Sequence, residues 1–184
     1  PESAKNVLLA SKEVASLFLV IFSIGVAIGS MSVNWLLKGT VSARYSPASV
    51  IMMGFFVLGF YVVCTLWSPS HGAGLMDVGH FVGERLAVPL LLCLLGIAVA
   101  GGMFVVPLYA FLTTFVDKSQ TARTIAANNI VNSGAMVVGS IIAVGLSAAQ
   151  VPIVQQLLLS AAMCLVSAWI ARRLVAAERA NQAI

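Results

Sequence analysis

Long apolar runs alternate with short polar stretches along almost the whole chain. An α-helix rises about 1.5 Å per residue, so about 20 consecutive apolar residues cross the hydrocarbon core of a bilayer. Five runs are of about this length or longer, and they cover residues 14–37, 49–67, 86–115, 124–148 and 151–171. The pattern predicts an all-α membrane protein with a bundle of about five transmembrane helices over residues 14–173.

The third run is longer than an upright span requires. Residues 86–115 contain no charged side chain, and about 30 residues make a helix of roughly 45 Å. Such a helix must tilt, bend or project into water. Paired glycines weaken a helix, and a proline removes one backbone hydrogen bond. Gly101, Gly102 and Pro107 therefore predict either a hinge or a static kink in this helix.

The composition supports a membrane protein and excludes several other classes. Of the 184 residues, 60% are hydrophobic and 9% are charged, whereas soluble domains have about 45–50% and about 25%. Mean hydropathy is +1.04. Cys64, Cys93 and Cys164 lie inside apolar runs, so we interpret them as small hydrophobic residues without disulfide or metal. A soluble enzyme, a secreted disulfide scaffold and a nucleic-acid-binding module are all disfavoured.

Basic residues in the connections predict the orientation, because Lys and Arg concentrate on the cytoplasmic side of membrane proteins. One side carries seven basic residues, Lys38, Arg44, Lys118, Arg123, Arg172, Arg173 and Arg179, and the other carries Lys5, Lys12 and Arg85. We therefore expect the C-terminus in the cytoplasm. Residues 1–13 become an extracytoplasmic segment, residues 68–85 a solvated outer loop, and residues 174–184 a cytoplasmic tail or linker.

A cluster of polar side chains opens the fourth run. Asn128 and Asn132 are four residues apart and share a helix face, and Asn129 and Ser133 share the neighbouring face. An amide in hydrocarbon needs a polar partner, so these side chains should face the bundle or water. They form either a polar wall of a substrate pathway or hydrogen bonds between helices.

Small residues recur at close spacing within the runs. Gly25 and Gly29 form a GxxxG pair in the first run, and Gly134 and Gly139 lie five residues apart in the fourth. In a membrane such residues let two helix backbones approach closely. They predict a compact bundle of packed helices.

The first run and the segment after it resemble a known transporter family. Residues 17–39, LFLVIFSIGVAIGSMSVNWLLKG, look like the eighth helix and the start of the following cytoplasmic loop of the major facilitator superfamily. Within them, residues 29–34 resemble the G-x-x-x-x-D gating motif of that family, with Asn34 in place of Asp, and Lys38 and Arg44 supply the charge of the loop. The resemblance implies helices 8–12 of a twelve-helix fold. Because the chain also begins with Pro1, we expect it to be a fragment that lacks the N-terminal transporter half.

Two further segments are GGMFVVPLYAFL, residues 101–112, and ARTIAANNIVNSGAMVVGS, residues 122–140. They resemble the bacterial lysophospholipid transporters of that superfamily. This resemblance implies that lysophospholipid crosses the bacterial cytoplasmic (inner) membrane by alternating access. A fused or neighbouring acyltransferase would then restore the missing chain.

Other functions stay open at this point. The runs contain no Ser–His or HExxH arrangement and no acidic or basic side chain, so we expect no catalytic activity in this segment and no metal or cofactor. Another major facilitator exporter or importer of small molecules fits the same pattern. A membrane scaffold that anchors a fused acyltransferase is the alternative outside the transporter class.

Overall fold

Helices make up nearly all of the chain that the computed structural model describes, which is residues 12–38, 42, 44–67, 78–114 and 116–182. These residues contain no strand and form six helices. The helices are α1 (Lys12–Leu37), α2 (Ser46–Leu66), α3 (Val78–Gly83), α4 (Ala87–Thr114), α5 (Thr121–Ala148) and α6 (Ile153–Gln182). The predicted all-α class is confirmed.

Five of these helices are long and apolar enough to cross a membrane, namely all except α3. The chain therefore has the character of a multi-pass membrane protein. α4 continues as one helix through Gly101, Gly102 and Pro107. α6 continues to Gln182, past the end of the fifth apolar run.

The bundle has one strongly basic end, because short connections reverse the chain between α1 and α2 and between α4 and α5. We call this side the basic end. Its described basic residues are Lys38, Arg44, Lys118, Arg123, Arg172 and Arg173. The Arg173 guanidinium lies 4.0 Å from the ring centroid of Trp169, a geometry that favours a cation–π interaction.

Small residues bring α1 and α4 into backbone contact. A Cβ added at Gly25 would lie 2.6 Å from the Cβ of Ala98, and one added at Gly29 would collide with the backbone carbonyl of Val99. Gly102 of α4 faces α1 in the same way. Lipid supplies no hydrophobic drive between helices, so this close approach holds the pair through van der Waals packing.

The remaining principal helix contacts extend this pair to α2 and α6. α2 packs against α4 on one side and against α6 on the other. At the α2–α6 contact, a Cβ added at Gly54 would lie 3.1 Å from the Cβ of Cys164. Val50, Cys164 and Ala168 form a buried cluster there. The packed part of the bundle therefore runs in the order α1, α4, α2, α6.

Residues 78–83, which we expected in a solvated outer loop, are helical and only partly exposed. These residues form α3, and the side chain of Phe81 is fully buried. Its ring stacks on Trp67 at a centroid distance of 5.4 Å and meets Phe18 edge-on at 5.6 Å. An aromatic side chain supplies a large apolar surface, so α3 covers the end of α1, α2 and α4 that lies opposite the basic end.

Candidate functional site: a cleft along helix α5

Helix α5 differs from the other long helices because none of its 28 residues is buried. Cβ atoms added at Gly134, Gly139 or Gly145 would meet no atom within 4 Å among the described residues. The close packing predicted from Gly134 and Gly139 is therefore absent in this part of the chain. α5 contacts α4 and α6 only sparsely.

Among the described residues, two side-chain hydrogen bonds connect α5 to its neighbours, one near each end. Near its start, the Asn128 amide donates to the hydroxyl of Tyr109 on α4 at 3.2 Å. Near its end, the Gln156 amide of α6 donates to the hydroxyl of Ser147 at 3.1 Å and to the carbonyl of Val151 at 3.2 Å. Between these two bonds α5 stands away from α2.

The space left there is a cleft of about 670 Å³ between α2, α5 and α6. Ligand-binding pockets usually occupy about 300–1,000 Å³, so the cleft can hold a small molecule. Most of its walls are apolar, with the polar side chains Gln156, Ser160 and Ser167 on α6. Residues that line it on α2 and α5 are Met53, Val57, Ala135, Val138, Gly139, Ile142, Ala143 and Leu146.

The helical repeat separates the four polar residues that the sequence singled out on α5. Successive residues turn by about 100° around a helix axis. On that count Asn128 and Asn132 fall within about 40° of the stripe that contains the cleft residues Ala135, Gly139 and Leu146. Asn129 and Ser133 lie about 100–140° away from Asn128 on the helix. None of the four predicted pathway residues lines the cleft itself. Asn128 and Asn132 lie on the stripe of α5 that forms its wall, and Asn129 and Ser133 do not.

The two amides on the stripe have different surroundings. Asn128 is partly exposed and bonded to Tyr109. Asn132 is exposed and has no hydrogen-bond partner among the described residues. An interhelical hydrogen bond therefore accounts for Asn128, whereas Asn132 keeps its amide available.

Tyr109 and Gln156 are site residues that the sequence reasoning missed. Each is a hydrogen-bonding side chain inside an apolar run. Such a position is itself a signal, because an isolated polar group in hydrocarbon needs a partner. Their partners, Asn128 and Ser147, lie on a neighbouring helix and appear only in the folded bundle.

The predicted hinge residues occupy three different environments in α4. Gly102 is buried against α1, where an added Cβ would lie 2.5 Å from the Val26 carbonyl oxygen. An added Cβ at Gly101 would meet no atom within 4 Å among the described residues. Pro107 is fully buried. The close helix approach therefore belongs to Gly102.

No side-chain hydrogen bond joins the predicted gating-loop residues to one another among the described residues. Asn34 and Lys38 are exposed at the end of α1, and Lys38 has a positive φ of 50°. The backbone amide of Arg44 donates to the Ser42 hydroxyl at 3.2 Å, and the Arg44 guanidinium lies 5.8 Å from the Tyr45 ring centroid. Residues 39–41 and 43 of this loop lie outside the described residues.

Comparison with known proteins identifies no family for this chain. The chain matches no family model, no curated protein and no solved structure. The resemblance to the major facilitator superfamily therefore stays an expectation from sequence.

The described residues contain no group of three or more His, Cys, Asp or Glu side chains that could hold a metal ion. Cys64, Cys93 and Cys164 are free thiols distributed over α2, α4 and α6. Among the described features, the cleft and the polar stripe that continues it therefore offer the strongest candidate site.

Proposed function

We propose that this chain is part of a transporter that moves lysophospholipid across the bacterial cytoplasmic membrane by alternating access. The observation that carries the proposal is the cleft between α2, α5 and α6. Its apolar walls suit one acyl chain, and the Asn128–Asn132 stripe that continues it suits a polar head. The sequence resemblance of residues 101–112 and 122–140 supports the same substrate.

The packing of the bundle supports a mechanism in which two parts move against each other. α1, α4, α2 and α6 are joined by continuous contacts, and each of the three contacts involves glycine at the helix surface. α5 is attached sparsely to α4 and α6. A packed slab with a loosely held helix beside a cleft fits a carrier, because a substrate can be enclosed or released by small helix movements.

The orientation and the partners follow from the same proposal. The basic end lies in the cytoplasm, together with the C-terminus, because Lys and Arg favour that side. A missing N-terminal half completes the fold. A fused or neighbouring acyltransferase takes up the delivered lysophospholipid and restores its second chain.

The two asparagines Asn132 and Asn129 provide a matched test of the pathway. Both are exposed amides of α5, but only Asn132 lies on the cleft stripe. Loss of a hydrogen bond to a charged head group costs about 1.5–3 kcal/mol, which corresponds to about ten- to a hundredfold in transport. A hydrogen bond between helices in a membrane averages only about 0.6 kcal/mol.

The measurement is uptake of labelled lysophosphatidylethanolamine by cells that make the complete protein, normalised to its amount in the membrane. We expect Asn132→Ala to lose about ten- to a hundredfold in uptake and Asn129→Ala to stay near wild type. Tyr109→Phe removes the hydroxyl bonded to Asn128 and serves as the control for a structural hydrogen bond. Normal uptake by Asn132→Ala, or equal losses in both asparagine variants, would contradict the pathway role of the stripe.

A further inference from the structure

The cleft has two unlike ends along α5. At one end the chain turns from α5 into α6 through residues 149–152, and the Gln156 amide is already bonded to Ser147 and Val151. The Gln156 amide is therefore less available to a ligand at this end of the cleft. At the other end the stripe continues to Asn132, whose amide has no partner among the described residues.

The basic side chains of the cleft helices are concentrated toward the same end as Asn132. Arg44 lies just before α2, Arg123 lies in the first turn of α5, and Arg172 lies in the last part of α6, all toward the basic end. At the opposite end of these helices, residues 62–67 and 145–160 contain no charged side chain. An acidic head group is therefore favoured toward Asn132 and the basic end.

Recognition of a lipid in this cleft must depend on the head group and on shape. Lipid tails are as apolar as leucine side chains, so an acyl chain gains little hydrophobic free energy when it leaves the bilayer for the cleft. A polar group at one end and the connection between α5 and α6 at the other supply the two remaining sources of selectivity. The polar group selects the lipid head group, and the far end of the cleft selects the length of the acyl chain.

The geometry points to a binding site for one acyl chain of a phosphate-headed single-chain lipid, with its head toward Asn132 and its chain end toward Leu146. This inference takes its substrate class from the proposed function. From Asn132 to Leu146 the α5 axis rises about 21 Å at 1.5 Å per residue, a length comparable to an extended palmitoyl chain. Gly139 and Ala143 line this path, and their small size leaves room for the chain, because a larger side chain there would fill the path.

Ala143 and Val144 provide matched positions for a test. Ala143 lines the cleft, about 16 Å along α5 from Asn132. Val144 follows it in sequence, is 69% exposed and lies outside the cleft lining. Phenylalanine at Ala143 blocks the far part of the path, whereas phenylalanine at Val144 adds the same ring outside the cleft.

The experiment uses the intact protein in lipid nanodiscs. The probes are palmitoyl and decanoyl lysophosphatidylethanolamine, each with a photoactivatable diazirine at the end of its chain, and labelled peptides are read by mass spectrometry. We expect the palmitoyl probe to label the region of Ala143 to Leu146. Forcing a chain into filled space costs about 1–3 kcal/mol, so Ala143→Phe should reduce palmitoyl labelling about five- to 150-fold. The decanoyl probe ends before Ala143 and should label both Phe variants as it labels wild type.

Several outcomes would overturn the inference. Labelling by the palmitoyl chain end near Asn128 in place of Leu146 would reverse the orientation. Equal effects of Ala143→Phe and Val144→Phe would show that the cleft does not limit the chain. A cysteine at Ala143 that cross-links to another helix of the same protein, with no lipid labelling, would show that protein fills the cleft.

Labelling and transport separate this inference from the proposed function. If the cleft is labelled as expected but the cells take up no lysophospholipid, the transport proposal fails and the binding site stands. If uptake is normal and the cleft is never labelled, the binding site fails and transport stands.

Discussion

Replacing Gly102 by alanine should push α1 and α4 apart. The added Cβ would lie 2.5 Å from the carbonyl oxygen of Val26 and 3.1 Å from the backbone nitrogen of Ser30. Both atoms belong to the α1 backbone, so rotation of a side chain cannot relieve the contact. The helices themselves must shift, and their packing must loosen along the contact that Gly25 and Gly29 also form.

The size of the effect follows from the cost of overpacking, which is about 1–3 kcal/mol in well-packed interiors. That cost lowers the ratio of folded to unfolded protein by about five- to 150-fold. Gly101→Ala is the matched control, because its Cβ would meet no atom within 4 Å among the described residues. Alanine is also the better helix residue by about 0.5–1 kcal/mol, so this variant should keep or raise stability.

The assay is denaturant unfolding of both alanine variants in mixed micelles, combined with membrane insertion and uptake measured in cells. We expect Gly102→Ala to unfold at lower denaturant than wild type and Gly101→Ala to unfold at the same or higher denaturant. Equal destabilisation of the two variants would refute the packing argument. Gly102→Leu also tests the hinge. If Gly102 acts as a hinge, uptake should fall by more than membrane insertion. An equal loss of uptake and insertion would leave close packing as the role of Gly102.

Two further predictions concern the end of the bundle opposite the basic end and the topology. Phe81→Ala should destabilise the bundle by about 3–5 kcal/mol, because it leaves a cavity where a buried aromatic ring stood. Val82→Ala, at a position that is 48% exposed, should change the unfolding midpoint little. Similar midpoints for the two variants would show that α3 does not cover this end of the bundle. For the topology, a membrane-impermeant thiol reagent applied to intact cells should modify a cysteine placed at Gln150 and spare one placed at Ser119, with the native thiols as background, and the reverse pattern would overturn the orientation.

The all-α class could be predicted from the sequence because it depends on local properties. A bilayer demands about 20 apolar residues for each helical span, and backbone hydrogen bonds within lipid must be satisfied inside each helix. The five apolar runs therefore indicate five long helices without any knowledge of their neighbours. The periodicity of α5 likewise shows that Asn128 and Asn132 share one face.

What the sequence could not show is which small or polar residues meet another helix. Gly101 and Gly102 are adjacent and identical in type, yet only Gly102 lies against the α1 backbone. Gly25 and Gly29 pack closely, as predicted, whereas Gly134 and Gly139 have open space around them among the described residues. The physical reason is that close approach depends on the rotation and crossing of two helices, and each is set by contacts distant in sequence.

The cleft is likewise a property of the tertiary structure. Its walls come from three helices that are separate in sequence, and its volume exists because α5 stands away from α2. Apolar runs alone specify lengths of helix and leave the spaces between them undefined. The sequence by itself determined the helices and the polar stripe of α5, and the packing of α2 and α6 decided that this stripe continues the wall of a cleft.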